Sequence, residues 1–181
     1  MRASNFELDK IIVGSKDNDR LSQRQLYELY APKMFVVCQR YARNHQDAED
    51  MLMEGFLQVF KSLESFRSES SFDAWIRSVM VKTAISHYRS EKRMLKELHW
   101  ENVDEMDIED EQELTLSSLE AKQIVALLEL MPDSLRTVFN MKAIDDFSFK
   151  EIAEMLDKKE NAVRISYMRA RRWLMKELEK Y

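Results

Sequence analysis

Apolar positions along this chain recur at the three- and four-residue spacing of helices. From Leu21 to Tyr41 the stripe is Leu26, Leu29, Tyr30, Met34 and Val37. Asp47 to Leu63 carries a second, with Ala48, Met51, Leu52, Phe56, Val59, Phe60 and Leu63 directed inward. Asp47 stands at the N-cap or in the first turn, where a carboxylate suits the helix dipole. Ser65 to Ser71 (SFRSESS) is a polar break with Phe66 near its start. Phe72 to Met94 predicts a third long helix through Trp75, Ile76, Val79, Ile85 and Tyr88. Further on, Leu119 to Met131 shows Leu119, Ile124, Leu127 and Leu128, and Pro132 marks a break that can open the next helix. Leu135, Val138, Phe139 and Met141 continue it, and two more helices follow.

Composition strengthens this picture. Only 2 Gly and 2 Pro occur in 181 residues, so strong helix breakers are nearly absent. Gly14 and Gly55 stand alone, which leaves no glycine-rich phosphate loop. The expected fold class is all-α, with two small helical domains joined by a flexible acidic linker. Apolar residues at 45% suffice for real cores. Cys38 is the sole cysteine, so no disulfide forms within the chain and a reducing, cytoplasmic setting is expected. The opening MRASNFELDK lacks an apolar signal core, and no apolar run approaches the ~20 residues of a membrane span, so no membrane partner is expected.

The net charge of −5 argues against nucleic acid until its distribution is read. Nine acidic residues and no Lys or Arg lie between Glu97 and Glu113. Without them, 24 acidic residues face 28 basic ones, a net of +4. The chain therefore divides into residues 1–96, an acidic linker at 97–117, and residues 118–181.

The last part carries the most specific local signal, a helix-turn-helix from about Ser148 to Lys176. Ser148-Phe149-Lys150-Glu151 fits a capping box, in which the serine accepts from the backbone at Glu151 and the glutamate reaches back. Ile152, Ala153 and Leu156 follow, and the small Ala153 permits a close helix crossing. Asp157 to Lys159 form the turn, where Asp tolerates a left-handed backbone. In the second helix Val163, Tyr167, Ala170 and Leu174 face inward, whereas Lys159, Asn161, Arg164 and Met168 stay available. From Asn161 to Lys176 there are five basic residues (Arg164, Arg169, Arg171, Arg172 and Lys176) and no acid. Such a helix enters the major groove N-terminus first, Arg reading guanine, Asn reading adenine, and later arginines meeting phosphates. A helical hairpin with a solvated basic face shares some of these features; their combination points to DNA.

The segment FSFKEIAEMLDKKENAVRISYMRARRWLMKEL resembles region 4 of the extracytoplasmic-function (ECF) σ factors, group 4 of the σ70 family of RNA polymerase sigma factors. EIAEML and the Arg169-Ala170-Arg171 triplet are its nearest matches, and Met131 to Ser148 resembles the helix before it. The block from Leu26 to Arg93 resembles region 2. The resemblance implies a promoter-specific transcription initiation factor without enzymatic activity, catalytic residues, metal or cofactor. It implies as partners core RNA polymerase, through its β′ clamp helices and β flap, and promoter DNA. An anti-sigma factor is implied by family habit alone.

On this resemblance, Asp47, Glu49, Asp50, Glu54, Phe56 and Phe60 meet core polymerase, with Phe56 and Phe60 divided between core and interface. Phe66, Arg67, Ser70, Arg77, Lys82 and Arg89 melt and hold the downstream (−10) element, while Trp75 is expected in the core rather than stacked on a base. Lys159, Asn161, Arg164, Met168, Arg169, Arg171 and Arg172 read the upstream (−35) element. The acidic linker is expected to thread near the RNA exit path. The chain departs from the family pattern at Met53, Lys82, Asp157, Lys158, Asn161 and Ala162, departures that bear on promoter preference and on individual base contacts rather than on the apolar framework. The rival reading is a stand-alone helix-turn-helix regulator. Metal or catalytic roles find little support, since His45, His87 and His99 are scattered.

Overall fold

The computed structural model describes residues 2–67, 71–95, 127, 128 and 130–180, with residues 2–5 and 88–95 described for their backbone path. They form helices in two units, divided between Met1–Lys96 and Glu97–Tyr181. The acidic stretch, Leu119 and Ile124 lie outside the described residues, as do Ser70 and the side chains of Tyr88 and Arg89.

In the first unit, α1 (Arg2–Lys16), α2 (Arg20–Gln39), α3 (His45–Ser62) and α4 (Phe72–Leu95) pack around one core, with a 3-10 turn at Leu63–Ser65. The apolar pattern did not announce α1. It docks on α2 where Gly14 lies against Ser22, so closely that a Cβ at residue 14 would overlap the serine side chain. Asp19 caps α2, accepting from the Ser22 N–H at 2.9 Å and its hydroxyl at 2.6 Å. Asn44, three residues before Asp47, caps α3. Asp47 therefore occupies the first turn, one of the two placements open to it.

Burial follows most of the predicted stripes. Leu26, Tyr30, Met34 and Val37 are buried on α2, and Ala48, Met51, Leu52, Phe56 and Val59 on α3. Leu29 is a correction, because it is 52% exposed and points away from the core. On α4 the core residues are Ile76, Met80, Val81, Ala84 and Ile85, while Trp75 and Val79 are half-buried. Gly55 sits against Met80, so its missing side chain sets the close approach of α3 and α4. Asp73 ties α4 to α2, accepting from the Tyr30 hydroxyl at 3.2 Å and from Lys33 Nζ at 3.4 Å. Burial, and secondarily the Asp73 carboxylate, raises the Tyr30 phenol well above its ordinary range.

The second unit contains α5 (Asp133–Phe139), a π-helical turn (Asn140–Ile144), α6 (Phe149–Leu156) and α7 (Glu160–Leu178). Pro132 precedes the first residue of α5. Leu127, Leu128, Met131, Phe139, Ala170 and Leu174 make a buried cluster, with Leu135, Tyr167, Trp173 and Leu178 packed at its edge. None of the helices in the described residues is long and apolar enough to cross a membrane.

Cys38 is fully buried, and burial pushes its thiol up to about 12 against the partly opposing charge of Arg40. Folding thus holds the thiol neutral, and this contribution is complete below the ordinary value of 9.0 and declines as pH rises toward about 12. Cys38 is expected to resist a disulfide-exchange thiol reagent at pH 8 and to react only at the rate of opening of the fold. Stoichiometric labelling within seconds in native buffer, read by absorbance, would contradict its burial.

Candidate nucleic-acid interface

The geometry of α6 and α7 begins at a complete capping box. Glu151 N–H donates to Ser148 Oγ at 3.2 Å, and Ser148 N–H donates to Glu151 Oε2 at 2.8 Å. These bonds occupy donors that a helix start leaves without intrahelical partners. At the other end of α6, Asp157 adopts φ 55° and ψ 52°, the left-handed conformation expected of the turn. The Lys158 N–H returns to the Ala153 carbonyl at 2.9 Å. Ala153 itself is buried, as a close crossing of α6 and α7 requires.

Helix α7 buries Val163, Ala170 and Leu174 and half-buries Tyr167. Ile165 and Ser166 are also buried, which the apolar pattern did not indicate. Asn161, Arg164, Met168 and Arg172 recur at i, i+3, i+7 and i+11 and so share one outward stripe. Asn161, Arg164 and Arg172 are exposed and Met168 is half-buried. Lys159 is exposed just ahead of the helix, and Arg171 lies half-buried one turn-pair beyond Arg164. Arg169 falls off the stripe, four residues after buried Ile165.

Arg164 is already held in place. Its Nε and Nη2 both donate to Glu160 Oε1, at 3.2 and 2.7 Å. Its guanidinium lies over the Phe149 ring at 4.5 Å, and Lys142 approaches the same ring at 5.3 Å. Neither Glu160 nor Phe149 figured among the residues expected at the interface. The i, i+4 spacing of Glu160 and Arg164 was the signal available for the first; Phe149 required the crossing of α6 and α7 to be known.

The first unit presents two surfaces. On α3, Glu49, Asp50 and Glu54 are exposed and Asp47 is half-buried. Between these acids Met53 and Leu57 are 62% and 58% exposed. Phe56 is 3% exposed and packs on Tyr27 with ring centres 4.6 Å apart. Phe60 is half-buried beside it, 6.1 Å from Phe56. The expected division thus gives Phe56 wholly to the core, and the outer apolar positions are Met53 and Leu57. Glu54 also faces His87 of α4 at 3.3 Å.

Among the residues expected to hold a melted strand, Arg67, Arg77 and Lys82 are exposed. Phe66 is not a free ring. It is buried against Phe72 and Trp75, with centroids 5.0 and 5.4 Å away, and its carbonyl accepts from Lys16 Nζ at 3.1 Å. Phe66 can therefore shape the loop but cannot stack on a base without leaving its site. A cleft of about 420 Å³ between α3 and α4 brings Lys82 together with Ser65, Trp75 and Thr83, and reaches Glu54. Trp75 does two things, packing on Phe66 and Phe72 and lining this cleft.

Comparison with known proteins agrees with both halves. Residues 26–94 match the family Sigma-70 region 2, and residues 121–174 match Sigma-70, region 4. The chain is 25% identical over 173 residues to the ECF RNA polymerase sigma-E factor of Haemophilus influenzae, covering 91% of each. It is 28% identical over 174 residues to the sigma-E factor of Escherichia coli, covering 90% of each. In fold it is similar to the sigma factor RpoE of Bartonella quintana, solved with the anti-sigma factor NepR, at a TM-score of 0.53 and 17% identity. That likeness covers 86% of this chain and 96% of the other. It is also similar to CnrH, solved with the cytosolic domain of CnrY, at a TM-score of 0.50 and 17% identity, covering 94% of this chain and 96% of that one.

The capping box makes a stability prediction. Ser148→Ala should lower the stability of the second unit by about 1 kcal/mol. Glu151→Ala should cost a similar amount, and the double variant less than their sum, because the two side chains serve one another. Thermal unfolding followed by circular dichroism measures the cycle; full additivity would show that the box does not act as a unit.

Proposed function

The chain belongs to the sigma-70 family as an ECF RNA polymerase sigma factor that directs transcription initiation, and we propose how its residues divide that work. Sigma factors are not enzymes; they bind core RNA polymerase and promoter DNA. The second unit reads the upstream (−35) element through the outward stripe of α7. The observation that supports this reading is the stripe of α7 on which Asn161, Arg164 and Arg172 are left exposed, on the second helix of a capped helix-turn-helix. Asn161 and Arg164 lie nearest the N-terminal end, where base edges come within reach, and Arg171 and Arg172 meet phosphates. Lys159, Met168 and Arg169 flank them.

The first unit docks on core polymerase through α3. Met53 and Leu57 supply the apolar contact, and Glu49, Asp50 and Glu54 supply charge toward a basic partner, for which the family suggests the β′ clamp helices. The β flap is the corresponding partner of the second unit. Arg67, Arg77 and Lys82 hold the melted (−10) strand beside the α3–α4 cleft, with Ser70 and Arg89 as further contacts. Residues 1–96 and 118–181 are thus the two working domains, and 97–117 the acidic connection. The protein acts in the cytoplasm, where core polymerase and promoter DNA are found. An anti-sigma factor of its own is proposed by analogy with the sigma factors solved in such complexes.

Two experiments test this reading. Purified protein with its native core polymerase should initiate at a cognate promoter in vitro, and failure at every cognate promoter would sink it. Alone, the chain should shift promoter DNA weakly and lose binding steeply with salt, because its small basic surfaces make few phosphate contacts; tight, polymerase-independent binding would favour a stand-alone regulator instead. Met53→Asp with Leu57→Asp should reduce capture of core polymerase at least tenfold while the unfolding temperature holds. Phe56→Ala should instead cost about 3–5 kcal/mol of stability, since the ring belongs to the core. Undiminished polymerase capture by the aspartate variant would remove α3 from the interface.

A further inference from the structure

The contact between Glu160 and Arg164 carries one step more, and it rests on the reading of α7 as the base-contacting helix. An arginine can address guanine by two different edges of its guanidinium. In this structure the Nε–Nη2 edge is taken, because both nitrogens donate to a single oxygen, Oε1 of Glu160. The Phe149 ring supports the guanidinium plane from one side. What these two bonds leave over is the end-on fork formed by Nη1 and the second hydrogen of Nη2, on a side chain that is 49% exposed. That fork matches the N7 and O6 acceptors of guanine.

The carboxylate has a second consequence. Both bonds end on Oε1, which leaves Oε2 able to accept from another donor. A carboxylate only accepts, so it disfavours a facing carbonyl and favours an amino group. In the major groove those amino groups are N4 of cytosine and N6 of adenine. Glu160 and Arg164 side chains are 43% and 49% exposed, so the pair is supported without being sealed from a ligand. It lies in the first turns of α7, the end that enters the groove.

We propose that Glu160 is a specificity-determining residue of the upstream element. It fixes Arg164 for end-on reading of one guanine and requires an exocyclic amino group on a base next to it.

The test is transcription by the reconstituted holoenzyme from promoters randomised across the upstream element, read by sequencing the transcripts. The wild-type protein should prefer guanine at one position and cytosine or adenine at a neighbouring one. Glu160→Ala should weaken both preferences about tenfold and leave the other positions as they were. Glu160→Gln keeps the length but can donate, and should admit thymine or guanine at the neighbouring position. Arg164→Ala should erase the guanine preference. A uniform rise in output for Glu160→Ala, with the same base profile, would mean that the carboxylate merely repels DNA and would overturn the inference. An unchanged profile would overturn it equally. A wild-type profile from Arg164→Ala would instead defeat the base-contacting role of Arg164, and the inference with it. Unfolding temperatures of the variants separate these outcomes from loss of fold.

Discussion

Helix ends are the constraint on which this structure depends. Every helix start leaves N–H groups without partners and every helix end leaves carbonyls without partners. A chain with 2 Gly and 2 Pro has few of the usual means of stopping one helix and starting another. Here side-chain oxygens and left-handed Asn or Asp residues do that work. Among the described residues the left-handed non-glycine positions are Asn18, Asp146 and Asp157. Each stands between two helical segments: α1 and α2, the π turn and α6, and α6 and α7. Asp19 and Ser148 follow closely with side-chain caps, whereas Lys159 begins α7 without one. Short polar side chains visit the left-handed region at lower cost than other residues. The direction of each following helix is thereby set within two or three residues, and with it the face that reaches solvent.

Once those directions are set, packing decides what is left over for binding. On α3 the core takes Met51, Phe56 and Val59, with Tyr27 packed on Phe56 and Met80 against the neighbouring Gly55. Gly55 lets α4 approach closely enough for Met80 to fill the gap. Met53 and Leu57 are then left outside among acids. Two large exposed apolar side chains one turn apart make sense on a surface that is covered in its working state. On α7 the same logic holds with opposite charge. Val163, Ala170 and Leu174 are consumed by the unit's own core, and the basic stripe remains. On the proposed reading, function at both places is carried by the residues that the core could not use.

This explains which features could be read from the sequence and which could not. The capping box and the Asp157 turn were legible because their physics is local: the residues that satisfy the backbone lie within four positions of it. The inward stripe of α7 was largely legible from periodicity, as were Ile76 and Ile85 on α4, whereas Met80, Val81 and Ala84 were not. Helix α1 was not, since Ile11, Ile12 and Val13 are consecutive rather than periodic, and Phe6 and Val13 remain exposed. Its docking depends on the absence of a side chain at Gly14 and on the Lys16 bond to the Phe66 carbonyl, both long-range facts. The exchange of Phe56 for Met53 and Leu57 at the outer face has a similar cause. An apolar helix with residues on more than one side shows its period but not its rotation, which the neighbouring helices fix. Leu29 stayed outside for the same reason.

The charge distribution bears on why two such units share one chain. A protein with a net charge of −5 gains little from long-range attraction to DNA. Binding that rests on a small number of phosphates is weak and falls with salt. The exposed apolar face of α3 is also small, since two apolar side chains and a few acids give only part of a stable interface. On the proposed reading neither contact suffices alone. Joined in one chain, each becomes an intramolecular event once the other has formed, and their effects multiply if a single partner can engage both. Core polymerase bound at a promoter is a partner of that kind. On the proposed division of labour, selectivity arises from the requirement that polymerase, upstream duplex and melted strand be met together. Weak individual contacts serve that requirement better than strong ones, because a strong one would retain the protein on polymerase or on DNA alone.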